Sequence, residues 1–371
     1  MSDTLHRQAL ENAANISRRG VLLGAGLGAA ALAAGGLGLG GCAATGASAS
    51  AQGSAPPSAR RRVSRLCHFT DSHIRPEFNA VEGVAAAMAA VNAERDRPDR
   101  VIFGGDMIMH SMDQTEQRTR ELWSLWTKAT AALGPIPTHY CLGNHDIWGW
   151  DKAASKSTGN EPLWGKRWAL DIQQASRTYS SFTLGRTPRG TPSWRVVLLD
   201  TISPRENTYE GRLDDEQFEW FAGELKASGA EGSHVMIVTH IPILSISMVA
   251  VDARHRAEGL VLGRGAMMMD VLRILELLRA HPNVRLCVSG HIHTLDRIEY
   301  EGVTYVCNGA VSGGWWRTRE ANIERSRGRM QPGDPDPATR PARAQSGYTL
   351  IDLFDDGTFE NTYRPFGWKP V

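Results

Sequence analysis

Ile136-Pro137-Thr138-His139-Tyr140-Cys141-Leu142-Gly143-Asn144-His145-Asp146 is a short apolar run that breaks at a glycine into a carboxamide, an imidazole and a carboxylate. Alone, such an ending is a polar turn. Four other fragments share its setting, each just after an apolar run. They are Asp71-Ser72-His73, Gly104-Gly105-Asp106, His240 after residues 235–239, and Gly290-His291-Ile292-His293. Apolar runs that repeatedly end in metal-capable side chains point to an α/β fold with its chemistry at one sheet edge.

Working outward from that stretch, residues 63–69, 101–103 and 137–142 read as strands, and 78–94 and 115–133 as helices. A β-α-β-α-β series of this kind is a right-handed parallel unit. It would bring Asp71, His73, Asp106 and Asn144 to one edge. Further strands are expected at 178–184, 194–199, 235–238 and 284–288, with helices from 213 to about 227 and over 267–280. Two hairpins should pair 297–300 with 303–307 and 348–354 with 358–363, the latter across Asp355-Asp356-Gly357. Residues 147–176 contain Trp148, Trp150, Trp164 and Trp168 without a clear period and read as a lid-like insertion. Residues 317–345, rich in Arg, Pro and Gly, read as a loop.

The candidate ligands offer only oxygen and imidazole nitrogen: Asp71, His73, Asp106, Asn144, His240, His291 and His293. Such a set suits two divalent ions of the Mn, Fe, Zn or Co type and excludes a thiolate site. Seven donors are too many for one ion and fit two that share a carboxylate. A cation pair can hold a phosphoryl group between attacking and leaving oxygens. In Asp71-x-His73 and His291-x-His293, alternate side chains of an extended segment would fall on one side.

Composition narrows the function. The 371 residues are 42% hydrophobic and 22% charged, ordinary for a soluble globular chain. Setting aside the three Arg and two acids of residues 1–20, the totals of 41 basic and 40 acidic residues become 38 of each sign. A protein that tracks nucleic-acid backbone shows a basic excess, so no nucleic-acid partner is expected and a nuclease is disfavoured.

Ser17-Arg18-Arg19 precedes an uncharged, Gly/Ala-dominated run to about residue 44. It resembles a bacterial twin-arginine export signal, although Val21 and Leu23 stand where Phe and Lys are usual. A transmembrane anchor is the weaker reading, because Gly and Ala gain little from hydrocarbon. Leu39-Gly40-Gly41-Cys42 resembles a lipoprotein cleavage box, with Ala47-Ser48-Ala49 and Ala49-Ser50-Ala51 as ordinary cleavage alternatives. The organisation expected is therefore a signal segment 1–42, a flexible linker 43–62 and a domain 63–371, exported to the periplasm or cell envelope. A lipid on Cys42 would hold it at the membrane. Cys67, Cys141, Cys287 and Cys307 sit in apolar runs and are expected as buried thiols.

Asp71-x-His73, Gly105-Asp106, Gly143-Asn144-His145-Asp146, His240 and Gly290-His291-x-His293 resemble the five blocks of the calcineurin-like metallophosphoesterases over roughly residues 63–310. The resemblance implies a four-layer α/β/β/α sandwich of two mixed β-sheets with a dinuclear centre at the strand ends. It assigns Asp71, His73 and His293 to one metal and Asn144, His240 and His291 to the other, with Asp106 bridging. His145 would face the substrate phosphate and Asp146 would orient it, while a metal-bound hydroxide attacks phosphorus. Met109 stands where purple acid phosphatases carry a metal-binding Tyr, so an iron–tyrosinate site is not expected. Because the chain ends early for it, the C-terminal substrate domain of periplasmic 5′-nucleotidases is not expected. Trp148-Gly149-Trp150, Asn308-Gly309-Ala310 and Gly313-Gly314-Trp315-Trp316 look similar to exported bacterial members grouped with cyclic-nucleotide phosphodiesterases. These Trp could stack on a base or pack the body. The expected activity is hydrolysis of a small phosphodiester or phosphomonoester. A glycerophosphodiester or lipid head-group hydrolase and a non-catalytic envelope binding lipoprotein are the alternatives.

Overall fold

The computed structural model describes residues 60–371 except 252, 257, 258, 332 and 333. The expected signal segment, Cys42 and all but the end of the linker lie outside the described residues. In chain order the elements are β1 (Arg62–Phe69), α1 (Ala80–Ala93), β2 (Arg100–Phe103), α2 (Glu116–Thr130), β3 (Thr138–Tyr140), α3 (Lys152–Ser155) and α4 (Arg167–Gln173). Then come β4 (Ser180–Leu184), β5 (Trp194–Leu198), β6 (Ile202–Arg205), β7 (Thr208–Gly211), α5 (Asp215–Glu231), β8 (His234–Val238), α6 (Ser247–Val251), β9 (Arg254–Arg256) and β10 (Gly259–Val261). The remainder is α7 (Val271–Arg279), β11 (Val284–Ser289), β12 (Asp296–Tyr300), β13 (Val303–Cys307), α8 (Arg319–Arg327), β14 (Gly347–Phe354) and β15 (Phe359–Pro365).

Two large mixed sheets carry the chain. One runs β15-β14-β1-β2-β3 and the other β12-β13-β11-β8-β5-β4. In the first, β1-β2-β3 are parallel and β14-β15 antiparallel, and in the second β13-β11-β8-β5 are parallel between antiparallel edges. Strand side chains alternate between faces, and the core divides accordingly. Leu66, Ile102, Ile351 and Leu353 of one sheet meet Trp194, Val196, Met236, Val238 and Leu286 of the other. The neighbours one residue on, including Cys67, Val101 and Phe103, turn outward among Val84, Met88, Leu122 and Trp126 of α1 and α2. This produces the helix–sheet–sheet–helix layering that two-sided burial demands. Among the described residues no helix is long and apolar enough to cross a membrane. Cys67, Cys141, Cys287 and Cys307 are free and buried.

Several boundaries move, each for a local reason. The helix expected from 267 starts only at Val271, because the backbone at Met268 bridges to Gly211. Of its three methionines Met268 is buried, whereas Met269 is exposed. The expected loop 317–345 contains α8, capped by the Thr318 hydroxyl accepting from Ala321 N–H. Residues 147–176 form packed body instead of a lid. Trp148 and Trp168 lie in the core, ring centroids 5.2 Å apart, and Trp148 Nε1–H donates to Gln114 O. Trp150 is buried as well, so neither Trp148 nor Trp150 presents a free face for stacking.

Trp316 locks the first sheet's outer layer. Its indole N–H donates to Ser72 O, and its ring covers Gly83 of α1 so closely that a Cβ there would lie 2.2 Å from Cζ3. Gly83→Ala is therefore expected to destabilise by about 1–3 kcal/mol through overpacking. Gly223→Ala, on α5 with nothing within 4 Å, should stabilise by roughly 0.5–1 kcal/mol. Thermal unfolding of the pair checks this, and equal melting of Gly83→Ala and wild type would refute the packing argument.

Candidate metal centre

Every expected ligand lies just beyond the C-terminal end of a parallel strand. Asp71 and His73 come after β1, Asp106 after β2, Asn144 after β3, His240 after β8, and His291 and His293 after β11. Because three of these strands lie in one sheet and two in the other, the sandwich closes the fragments onto one point. Glycines allow the approach. A Cβ at Gly143 would fall 2.1 Å from Asp106 N, and one at Gly290 would fall 2.3 Å from Asp71 Oδ2.

The local backbone differs from the extended form expected for Asp-x-His and His-x-His. Asp71, His73, Asp106, His291 and His293 all have positive φ, between 45° and 71°. Asp and His tolerate this left-handed region better than most residues, but it still costs energy and clusters at functional sites. Cross-strand bonds enforce it: Asp71 N–H donates to Gly105 O and His73 N–H to Asp106 O, both at 3.0 Å.

The side chains form two adjoining groups. In the first, His293 Nε2 is 3.1 Å from Asp71 Oδ1 and 3.0 Å from His73 Nε2. In the second, His240 Nε2 is 3.2 Å from Asp106 Oδ2 and 3.3 Å from His291 Nδ1. Asp106 Oδ2 also lies 3.6 Å from His73 Nε2, so one carboxylate oxygen stands between the groups. Asp71–His73–His293, Asp106–His240–His291 and, at the rim, His73–Asp106–His145 each keep their ligand atoms within 4.8 Å of one another.

Supporting bonds fix which atoms face inward. Asp71 Oδ2 accepts from Thr70 Oγ1 and His291 N–H, leaving Oδ1 for the centre. His240 and His293 direct Nδ1 at carbonyls of Gly104 and Gly313, so an N–H sits there and Nε2 is the ring nitrogen left facing the centre. Asp71 Oδ1 and Asn144 Oδ1 are buried without a hydrogen-bond partner. An orphaned buried acceptor is costly, and a divalent cation is the partner that this oxygen and imidazole set suits. The residues thus fit a two-cation site.

Electrostatics agree. Burial would raise Asp106, but His240 and His145 hold its carboxyl far below the usual range. Burial likewise would raise Asp71, and His293 and His73 keep it ionised. Burial would lower His240, yet Asp106 pushes it up to about 10, so in the metal-free centre this ring carries a second proton that a cation would have to displace. Burial, partly offset by Asp106, holds His145 well below its ordinary value.

His145 sits at the rim, partly exposed, with Nε2 3.9 Å from Asp106 Oδ2 and its ring 4.6 Å from that of His73. Its own N–H donates to Asp106 Oδ1 at 2.8 Å. Asp146 does not orient it. The Asp146 carboxylate accepts from Met107 N–H, Ile108 N–H and Gly143 N–H and is fully buried. It stitches the β2 and β3 loops together, and burial followed by the nearby Asp106 pushes it up to about 7. The physical reason is the 3₁₀ turn Asn144–Asp146, in which successive side chains diverge.

A cavity of about 550 Å³ opens over the centre, lined also by Tyr209, Arg254, Arg256, Trp315 and Arg343. Of these, the sequence motifs single out only Trp315. Its ring lies 4.5 Å from that of His293, on backbone that is left-handed at both Trp315 and Trp316. Tyr209, Arg254 and Arg256 come from short hairpins without a core-facing period, and Arg254-x-Arg256 is the one signal the sequence offers for them.

A family profile described as calcineurin-like phosphoesterase matches residues 64–295. A "Probable cyclic nucleotide phosphodiesterase" of Synechococcus is 24% identical over 233 residues, covering 62% of this chain and 72% of that protein. A human cyclic GMP-AMP phosphodiesterase is 23% identical over 239 residues, covering 53% of this chain and 51% of that protein. Sphingomyelin phosphodiesterase 2 of Caenorhabditis elegans is 28% identical over 166 residues, covering 39% of this chain and 26% of that protein. The chain thus spans about half and about a quarter of the last two. A dimetal phosphatase from Danio rerio superposes with TM-score 0.52 at 14% identity, over 82% of this chain and 97% of that one, which shows the shared fold.

Proposed function

The chain belongs to the calcineurin-like phosphoesterase family, a hydrolase acting on phosphoester bonds, and on that premise we propose that it is an exported phosphodiesterase for a small diester. The observation that carries the site assignment is Asp106 Oδ2 standing between two groups of inward-facing ligand atoms, beside the orphaned Oδ1 atoms of Asp71 and Asn144. Asp71, His73 and His293 would hold one divalent cation, Asn144, His240 and His291 the other, and Asp106 both. Bound there, the cations would supply charge neutralisation at the phosphoryl oxygens and an activated water. The chain's own contribution is positional. Gly104 and Gly313 carbonyls hold the imidazoles in one tautomer, and the Asp146 carboxylate fixes the loops that carry Asp106 and Asn144. His145, at the rim, is placed to hydrogen-bond the phosphate, or to deliver a proton to the leaving oxygen once the negative charge of a bound phosphate has raised its depressed basicity.

The diester preference draws on the names of the three relatives, each a phosphodiesterase. Export and lipidation draw on Arg18-Arg19 and on Cys42. The protein is expected to turn over bis(p-nitrophenyl) phosphate with kcat/KM at least about tenfold above that for p-nitrophenyl phosphate, a difference of only about 1.4 kcal/mol. The assay is run after chelation and reloading with Mn, Fe, Zn or Co in turn. A preference for the monoester would overturn the diesterase reading.

A further inference from the structure

Next to the metal cavity lies a second one, of about 730 Å³, and His145 and Trp315 line both. Its walls carry Arg75, Arg118, Arg317, Arg325 and Arg329 against only Glu77 and Asp113. Both acids are paired within the same wall: Glu77 takes Arg118 at 2.6 Å, and Asp113 lies 3.2 Å from His110. Arg118 is further tied to Glu121. Among the described residues, no carboxylate within ion-pair distance serves Arg75, Arg317, Arg325 or Arg329.

The first two of these are built in. Arg75 is 6% exposed, donates Nη2–H to Trp315 O, and lies over the Phe78 ring, which Arg317 also covers at 4.4 Å. The Nε atoms of Arg75 and Arg317 are buried and unpartnered. Burial first, and then the like charges of Arg329 and Arg317, holds the Arg325 guanidinium below its ordinary value. Guanidinium groups so assembled without counter-charges are costly, and their planar forks match the oxygens of a phosphate.

Resting on the phosphodiesterase reading, we propose that this arginine cavity is a subsite for a second phosphoryl group of the substrate. The diester being cleaved sits at the metal centre, and its other phosphate lies past His145 and Trp315 among Arg75, Arg317, Arg325 and Arg329. The substrate class is a diester that carries a further phosphate, such as a dinucleotide with a terminal phosphate.

The test uses matched dinucleotides that share one scissile bond: ApA, 5′-phosphorylated pApA and 3′-phosphorylated ApAp. One of the two phosphorylated forms should exceed ApA in kcat/KM by roughly tenfold or more, mainly through KM, as charge-assisted hydrogen bonds warrant. The advantage should vanish in Arg317→Gln and in the double variant Arg325→Gln/Arg329→Gln, whose two positions lie on and just past α8, a helix with no buried residue. Calorimetric binding of the same probes to metal-free protein reads the subsite without turnover. Absence of all diester turnover would sink the phosphodiesterase reading, whereas equal binding and turnover of the three probes would overturn the subsite. Inorganic phosphate that binds and is lost in the Arg variants, with the dinucleotides indistinguishable, would assign the cavity to the free anion and overturn the proposal too.

Discussion

Asp106→Ala is expected to cost both metal sites at once. Its Oδ2 lies 3.2 Å from His240 Nε2 and 3.6 Å from His73 Nε2, between the two ligand groups. Removing it leaves His240 and His291 without a carboxylate and the first group without its link to the second. If the cations supply several kcal/mol of charge stabilisation, at tenfold per 1.36 kcal/mol, hydrolysis should fall by roughly a thousandfold or more. Elemental analysis should show both ions depleted. Asp106→Asn separates charge from shape, because its amide oxygen can still accept from His145 N–H where Oδ1 does now. If Asp106→Ala retains two tightly bound ions, the shared-ligand assignment is wrong. Far-UV dichroism on the same samples distinguishes this from loss of fold.

His145→Ala should behave in the opposite way, with metal content kept and kcat reduced. The hydrogen bonds at His145 run through its backbone: the N–H that holds Asp106 Oδ1, and the carbonyl that accepts from Ser111, survive the change. General acid–base groups contribute about 10²–10⁴-fold, so a loss in that range is expected on a diester with an alcohol leaving group. On bis(p-nitrophenyl) phosphate the loss should be smaller, since nitrophenolate departs without a proton. Metal depleted in proportion to activity would make His145 a ligand, which its 3.9 Å approach to Asp106 Oδ2 does not require.

The centre is readable in the sequence because a parallel strand must end before its crossover, and the residues just past its end face one edge of the sheet. Each of the five fragments can therefore be placed from the apolar run before it. Direction within a turn is harder to read. Asp146 adjoins His145 in sequence, yet its carboxylate runs back to Met107, Ile108 and Gly143, because neighbours in a helical turn do not face one another. The same limit hides α8, whose face buries nothing and so leaves no apolar period. It also hides the β6–β7 hairpin that brings Tyr209 to the cavity. Arg75 and Arg317, far apart in the chain, meet only because Phe78 lies between them.

The left-handed backbone at Asp71, His73, Asp106, His291 and His293 has a consequence for the protein's stability. Each such residue costs about 1 kcal/mol or more relative to glycine, so the five together hold a sizeable part of a typical domain's margin of about 5–15 kcal/mol. Selection for thermal endurance alone would drift these positions toward glycine and erase the centre. Aspartate and histidine at these positions set stability against the centre they build.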